Sequence, residues 1–333
     1  MRGPTGPVAG FRIVPGMSIA PNPDAPQPTP PSEFAFINWV RGRTPPHPGV
    51  LVGPGDDTAV VDLTVAPTLV TTDMLLEGSC FVLEEAGPRR VGRKAMAVNL
   101  SDIAAMAGEP FAAVVSVGLP RKGGRALAEE LYLGMREVAD AFQTVIIGGD
   151  TNSWDGPLAI SVTLLGRVVG GRAVCRRGAE VGDWVMVTGP LGGSILGKHL
   201  DFTPRVHEAM KLHLSVPLHA MIDVSDGLAA DLHHICEESG CGAVLRAEAI
   251  PISDDAHKLQ DGRSPLEHAL GDGEDFELIF AVAASVGRRL LEEQPIPNIR
   301  LYHIGEFVEK GLWLEENGQR RPLEPAGYAH VIE

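Results

Sequence analysis

The chain reads as a mixed α/β protein (α/β or α+β) with two folded domains behind a proline-rich leader, and three observations predict this. Short β-rich runs alternate with apolar residues spaced near 3.6, so helix and sheet are interleaved. At 333 residues and 44% hydrophobic content, the chain can bury more than one core, since domains usually run to roughly 150 residues. The Gly170-Gly171 pair marks a pause in the alternation. The expected division is a leader over 1–31, an N-terminal domain over 32–170 and a C-terminal α/β domain over 171–333.

Nine of the 27 prolines fall in the first 31 residues, and PNPDAPQPTPP can build neither helix nor ladder. The segment reads as disordered. It lacks the basic, apolar and small-residue pattern of a secretory signal, and Met17 is an alternative start. Ser32 is a candidate N-cap for an amphipathic helix carrying Phe34, Ile37, Trp39 and Val40. Leu69 to Thr72 and Val114 to Leu119 are strand-like. Val91, Ala95, Val98, Ile103 and Met106 line one face of a helix, as do Leu127, Leu131, Met135, Val138 and Phe142. Thr144 to Ile147 is a buried-strand run stopped by Gly148 and Gly149, and Leu158 to Val169 is another strand. The second domain opens with a strand over Trp184 to Thr188, then a glycine-rich turn and helix. A helix over Leu228 to Glu238 follows, with strands near Glu277 to Val282 and Leu301 to Phe307.

Asp plus Glu number 43 against 28 Lys plus Arg, a formal net charge of -15, and there is no basic run. Nucleic acid is therefore excluded as a partner on charge, and no apolar run approaches the ~20 residues that cross a bilayer. Cys80, Cys175, Cys236 and Cys241 form neither a CxxC pair nor a disulfide framework, so a reducing cytoplasm is expected.

Six aspartates stand beside turn residues or in polar breaks: Asp57 in GPGDD, Asp73 in TTDMLLEG, Asp102 in AVNLSDIAAMAG, Asp150 in IIGGDT, and Asp223 and Asp226 in IDVSDGL. If the fold gathers them, the site needs hard cations, because Mg²⁺ takes oxygen ligands. Each motif also has a plainer reading. GPGDD suits a solvated corner, and TTD, which ends its strand run, an N-cap or Asx turn. Asn99, Ser101 and Asp102, interrupting an apolar helix, suit an interhelical hydrogen-bond network. GGD ends a strand, where α/β folds place ligand loops. In DVSD both acids can face one side, or Ser225 or Asp226 can cap the next helix. Gly192 to Lys198, GGSILGK, imitates a P-loop, but His199 replaces the Ser or Thr that holds Mg²⁺, so a glycine turn opening a helix is expected. Asp231, His234, Cys236 and Cys241 match no zinc spacing; that helix is expected to bury Leu228, Leu232 and Ile235.

Taken in order, GPGDD, TTDMLLEG, K-AMAVNLSDIAAMAG, IIGGDT, VTGPLGGS, DVSDGLAADLHHI and GDGEDFEL resemble the thiamine-monophosphate kinase family from about residue 33 to Tyr328. The wider superfamily holds aminoimidazole-ribonucleotide synthetase, selenophosphate synthetase and a hydrogenase-maturation protein, so the alternative is another ATP-using synthetase. The resemblance implies an aminoimidazole-ribonucleotide synthetase-like architecture: an N-terminal ATP- and Mg-binding domain whose sheet pairs in a homodimer, and a C-terminal α/β domain. It implies Mg²⁺-dependent transfer of phosphate from ATP to thiamine monophosphate. Carried over by motif, the metal ligands would be Asp57, Thr71, Thr72, Asp73, Asp102, Asp150, Asp223 and Asp226. Gly149, Asp150, Arg176 and Ser225 would line the nucleotide, Asp150, Asp226 and Arg176 would act in catalysis, and Cys80, Glu274 and Tyr328 would touch the acceptor. Cys80, in EGSCF, stands where the family commonly carries histidine, which puts the contact at that corner in question.

Overall fold

The computed structural model of the protein describes residues 39–52, 60–64 and 66–328. GPGDD, with Asp57, and the expected start of the first helix at Ser32 lie outside them.

The first half is built on β3 (Thr68–Leu76), β4 (Glu109–Pro120), β5 (Val145–Trp154) and β6 (Ala159–Arg167), ordered β3-β6-β4-β5 after a small β1 (Val50–Val52) and β2 (Val60–Val61) ladder. Helix α1 (Pro88–Ala105) precedes β4, and α2 (Gly124–Ala141) makes the crossover between the parallel pair β4 and β5. Alternation decides which face is covered. Ile160, Val162 and Leu164 of β6, with Leu69 and Leu75 of β3, are buried beside Val91, Met96, Leu100 and Ile103 of α1 and Leu131, Met135 and Val138 of α2. Each such side chain contributes about 1.5–3 kcal/mol on burial. The two helices approach closely: a Cβ at Gly92 would strike the Leu131 carbonyl. The opposite face is covered around Ala112 and Val145, where Val50 of β1 and Val61 of β2 pack, and is open along β3, with Val70 65% and Met74 64% exposed.

Two boundaries differ from expectation. Gly148 and Gly149 do not end their strand, because β5 pairs onward with β4 as far as Trp154. Ala113 pairs with Ile146 and Val114 with Gly148, so Ile147 is the extra residue of a bulge. The glycines accommodate that bulge and the close neighbour strand, where a Cβ at Gly149 would meet the Val115 carbonyl. Likewise TTD does not finish β3, which continues to Leu76. Asp73 and Asp150 therefore sit on strands rather than in loops.

The second half contains β7 (Asp183–Val187), α3 (Val206–Ser215), β8 (Ala220–Asp223), α4 (Leu228–Ser239), β9 (Gly242–Arg246), α5 (Pro265–Gly271), β10 (Leu278–Ala283), α6 (Ala284–Glu293), β11 (Tyr302–Val308), β12 (Leu312–Glu316) and β13 (Gln319–Pro322). Its sheet runs β13-β12-β9-β11-β7-β10-β8, antiparallel except for β12 on β9. One face, with Met186, Met221, Phe280 and Val282, joins the core cluster of the first half. The other, with Val185, Val187, Ile222 and Ile279, buries Leu228, Leu232 and Ile235 of α4, as the spacing requires. Helix α1 consequently lies between the two sheets.

The glycine turn at 192–197 leads only into a 3-10 turn, Ser194–Leu196, and four residues of helix, Lys198–Asp201; the next long helix waits until Val206, beyond Pro204. Lys198 is committed to Glu277 at 3.2 Å, Asp275 at 3.4 Å and the Pro190 carbonyl at 3.0 Å. This is a structural strut, not a phosphate loop.

Candidate active site

Helix α1 presents polar groups to both halves of the molecule. Ser101, fully buried, donates to the Asp223 carboxylate at 2.6 Å, across to the C-terminal end of β8. Asp102, one residue on, accepts from the Thr71 hydroxyl of β3. Asp73 points to the same face of β3 as Thr71, because strand side chains alternate, and shares a hydrogen bond with Asp102. Three carboxylates from three elements are thereby gathered around α1.

Their electrostatics follow from that crowding. Burial, followed by the charges of Asp102 and Asp223, pushes Asp73 up to about 7. Burial and then Asp102 push Asp223 up to about 7 as well, against the Ser101 hydrogen bond and the Arg176 charge. Asp102 is raised by burial but held back by hydrogen bonds from Thr71 and Asp73 and by Arg176. Arg176 is the cation that acts on both Asp102 and Asp223. Just behind them, Asp231 is raised to about 8 by burial and by Asp223 and Asp226.

The loop after β8 is set by Asp231. Its carboxylate accepts the backbone N–H groups of Asp226 at 3.1 Å and Gly227 at 3.0 Å, so α4 is capped from within and neither Ser225 nor Asp226 serves as the cap. Two further segments hang on this loop. The Glu274 N–H donates to the Ser225 carbonyl at 2.7 Å, and the Tyr328 N–H donates to the Asp226 carbonyl at 3.0 Å. Glu274 holds a left-handed φ of 52° to do so. Its carboxylate reaches back to Lys94 of α1 at 2.6 Å, and Lys94 also donates to the Cys80 carbonyl at 2.8 Å. Ser225, Asp226, Glu274, Tyr328 and Cys80 are thus linked by direct hydrogen bonds or through Lys94.

The remaining sites are placed differently. Asp73 pairs with Val162, Val162 with Val115, and Val115 with Gly149, so Asp73 and Gly149 share a transverse row three strand spacings apart, roughly 14 Å. Asp150 is the next residue and points to the opposite, open face, as does Thr72, which pairs with Thr163. Within one chain the strands hold Asp150 away from Asp73, Asp102 and Asp223. Among the described residues no group of three or more His, Cys, Asp or Glu converges tightly enough to hold a metal ion by itself.

The spacing along the chain did not point to Lys94, to Asp231, or to Asp275 and Glu277, which are both salt-bridged to Lys198. A lone lysine amid the apolar residues of α1 was the available signal for Lys94, which is only 1% exposed.

The family described as AIR synthase related protein, N-terminal domain, matches residues 55–168, and its C-terminal counterpart matches residues 180–312. A thiamine-monophosphate kinase of Rhodopirellula baltica is 43% identical over 310 residues, covering 90% of this chain and 97% of that protein. The crystal structure of thiamine-monophosphate kinase from Stenotrophomonas maltophilia superposes with a TM-score of 0.74 at 33% identity, covering 86% of this chain and 97% of that one. A solved complex, AaThiL with AMPPCP and TMP, superposes with a TM-score of 0.70 at 30% identity, covering 90% of this chain and 97% of that one.

Proposed function

The chain belongs to the thiamine-monophosphate kinase family, and from that premise we infer an ATP-dependent phosphotransferase that converts thiamine monophosphate to thiamine diphosphate and ADP. The observation that carries this reading is the meeting, around α1, of a buried acid cluster with the loops bearing Ser225, Glu274 and Tyr328. The direct assay is thiamine diphosphate formation by the purified protein from ATP and thiamine monophosphate. A folded sample without turnover contradicts the reading.

The donor set fits Mg²⁺. It offers oxygen ligands in surroundings where Asp73, Asp102 and Asp223 repel one another, and Asn99 Oδ1 is buried with no hydrogen-bond partner. Asp73, Asp102, Thr71, Asp223 and Asp226 would hold the ions, with phosphate oxygens completing what the protein leaves open. Bound Mg²⁺ would supply charge neutralisation at the phosphates. The acceptor is itself a phosphate oxyanion, so no general base is required. One of its oxygens attacks the terminal phosphorus of ATP, that bond forms as the bond to the bridging oxygen breaks, and ADP leaves. The protein's part is positioning. Arg176 contributes positive charge at Asp102 and Asp223, Gly149, Asp150 and Ser225 line the nucleotide, and Cys80, Glu274 and Tyr328 hold the acceptor.

A homodimer completes this picture. Strands β3 and β5 are the two edges of the four-stranded sheet, and edges of this length are normally covered. Along β5, Asp150, Asn152, Ser153 and Trp154 are exposed, and Val70, Thr72, Met74 and Leu76 are exposed on β3. Pairing β5 of one copy beside β3 of another would bring the partner's edge strand, which bears its Asp150, next to the strand that bears Asp73. Among the described residues no helix is long and apolar enough to cross a membrane, and the four cysteines are unpaired, which suits a reducing cytoplasm.

Stability should respond to pH in two opposite ways. Asp73, Asp223 and Asp231 have folded values raised to about 7, 7 and 8 from 3.8, so their contribution is full below 3.8 and is lost as pH rises through 7 to 8. Glu277 is lowered from 4.5: burial opposes its ionisation, but Arg205 and Lys198 outweigh it, so its contribution holds above 4.5 and is lost on acidification. The metal-free protein is expected to melt highest in mildly acidic buffer. Mg²⁺ at 100 times its Kd should add ~2.7 kcal/mol at pH 8 and much less at pH 5.5, where the acids hold protons. Thermal melts with EDTA or Mg²⁺ at both pH values check this; an equal Mg²⁺ effect at both would contradict it.

A further inference from the structure

Lys94 and Ser101 lie seven residues apart on α1, 20° short of two full turns, so both point to the same side. Each makes one contact with the second half: Ser101 with Asp223, and Lys94 with Glu274. The two contacts are separated by about 10 Å of helical rise. The loops they hold are themselves joined, because the Glu274 and Phe276 N–H groups donate to the Ser225 and Val224 carbonyls at 2.7 and 2.8 Å. A ligand lying along α1 meets the acid cluster at one end and the Lys94–Glu274–Cys80 corner at the other.

Thiamine monophosphate is asymmetric in the same sense. Its phosphate belongs at the acid cluster, where the transfer takes place. Its cationic thiazolium and neutral pyrimidine rings belong some ångströms away. Lys94 is 1% exposed, so its ammonium is a poor candidate for direct phosphate capture from solvent. It occupies Glu274 Oε1 and the Cys80 carbonyl, and the Glu274 side chain remains 39% exposed. The carboxylate is held by Lys94 through Oε1 while the rest of its side chain stays open to solvent.

We propose that Lys94 is a positioning residue for the ring end of the acceptor: it fixes the Glu274 carboxylate and the Cys80 backbone as one wall, and thereby sets affinity for thiamine monophosphate rather than the rate of phosphate transfer. The arrangement gives Cys80 a role through its backbone. Its carbonyl, anchored by Lys94, supplies the wall regardless of side chain. The inference rests on the kinase reading above, and its failure is distinguishable from a failure of that reading, since wild-type protein without turnover would end the reading before any variant is compared.

The test is steady-state kinetics of Lys94→Met, which keeps volume and removes charge, beside Lys94→Arg, Glu274→Gln and the Lys94→Arg/Glu274→Gln double variant. Lys94→Met is expected to raise KM for thiamine monophosphate at least tenfold. KM for ATP and kcat should stay within about twofold, with partial recovery in Lys94→Arg. If Lys94→Met does not fold, the milder pair decides: the KM effects of Lys94→Arg and Glu274→Gln should be non-additive, because one interaction is removed twice. An unchanged KM for thiamine monophosphate, a parallel loss in both substrates and kcat, or additive effects in the pair would each overturn the proposal.

Discussion

Asp150→Asn is expected to cut kcat by roughly 10³-fold while leaving the melting temperature nearly unchanged. In the proposed site Asp150 lies along the nucleotide, and losing its charge beside phosphate-bound Mg²⁺ would remove several kcal/mol of transition-state stabilisation, whereas Asp150 is exposed on β5 and carries no core packing. The same substitution tests how sites are assembled. In one chain Asp150 points away from the face that holds Asp73 and lies about three strand spacings off. If the partner's Asp150 completes each site, Asp150→Asn and Asp102→Asn homodimers are each inactive, yet their mixture regains activity. After random exchange half the dimers are mixed and each has one intact site, so about a quarter of wild-type activity should return. No recovery after demonstrated subunit exchange would mean that each chain builds its site alone.

Glu277→Gln should give the largest loss of stability. Glu277 is 1% exposed and accepts from Arg205 at 2.9 and 2.7 Å, from Lys198 at 3.2 Å and from the Thr188 hydroxyl at 2.7 Å. Neutralising it leaves Lys198 with Asp275 alone and Arg205 with only Glu208 at 3.9 Å, and breaking a buried pair from one side costs about 3–5 kcal/mol. For a chain of 333 residues that corresponds to roughly a 4–7 °C fall in Tm. Thermal melts at pH 7 measure it. A fall of only a degree or two would show that Arg205 and Lys198 find other partners.

Much of the architecture was legible because it depends on local periodicity. The α1 face Val91, Ala95, Ile103 and the α2 face Leu131, Met135, Val138 are buried as their spacing requires. Asn99, Ser101 and Asp102 stood out because polar residues in an apolar helix need partners, and Ser101 found one in Asp223, 122 residues away. The errors have equally local causes. A glycine pair reads as a stop, but in β5 it accommodates a bulge and the strand continues, which moves Asp150 from a loop into a ladder. The glycine turn before Lys198 reads as the start of a helix, but it opens only a short 3-10 turn and four helical residues, and Lys198 is held by Asp275 and Glu277 nearly 80 residues on.

From the sequence alone came the mixed α/β class, the helices and strands, the acidic motifs in their order, and with them the family. Those are properties of spacing and residue type along the chain. Only the tertiary structure decided that Asp73 and Thr71 share the covered face of the sheet while Thr72 and Asp150 share the open one. It alone showed that Lys94 ties Glu274 to Cys80 and that Asp231 holds the loop at 226–227. The reason is that a strand's side-chain period is two residues, so a one-residue difference reverses direction, and contacts between elements depend on packing that no linear spacing encodes.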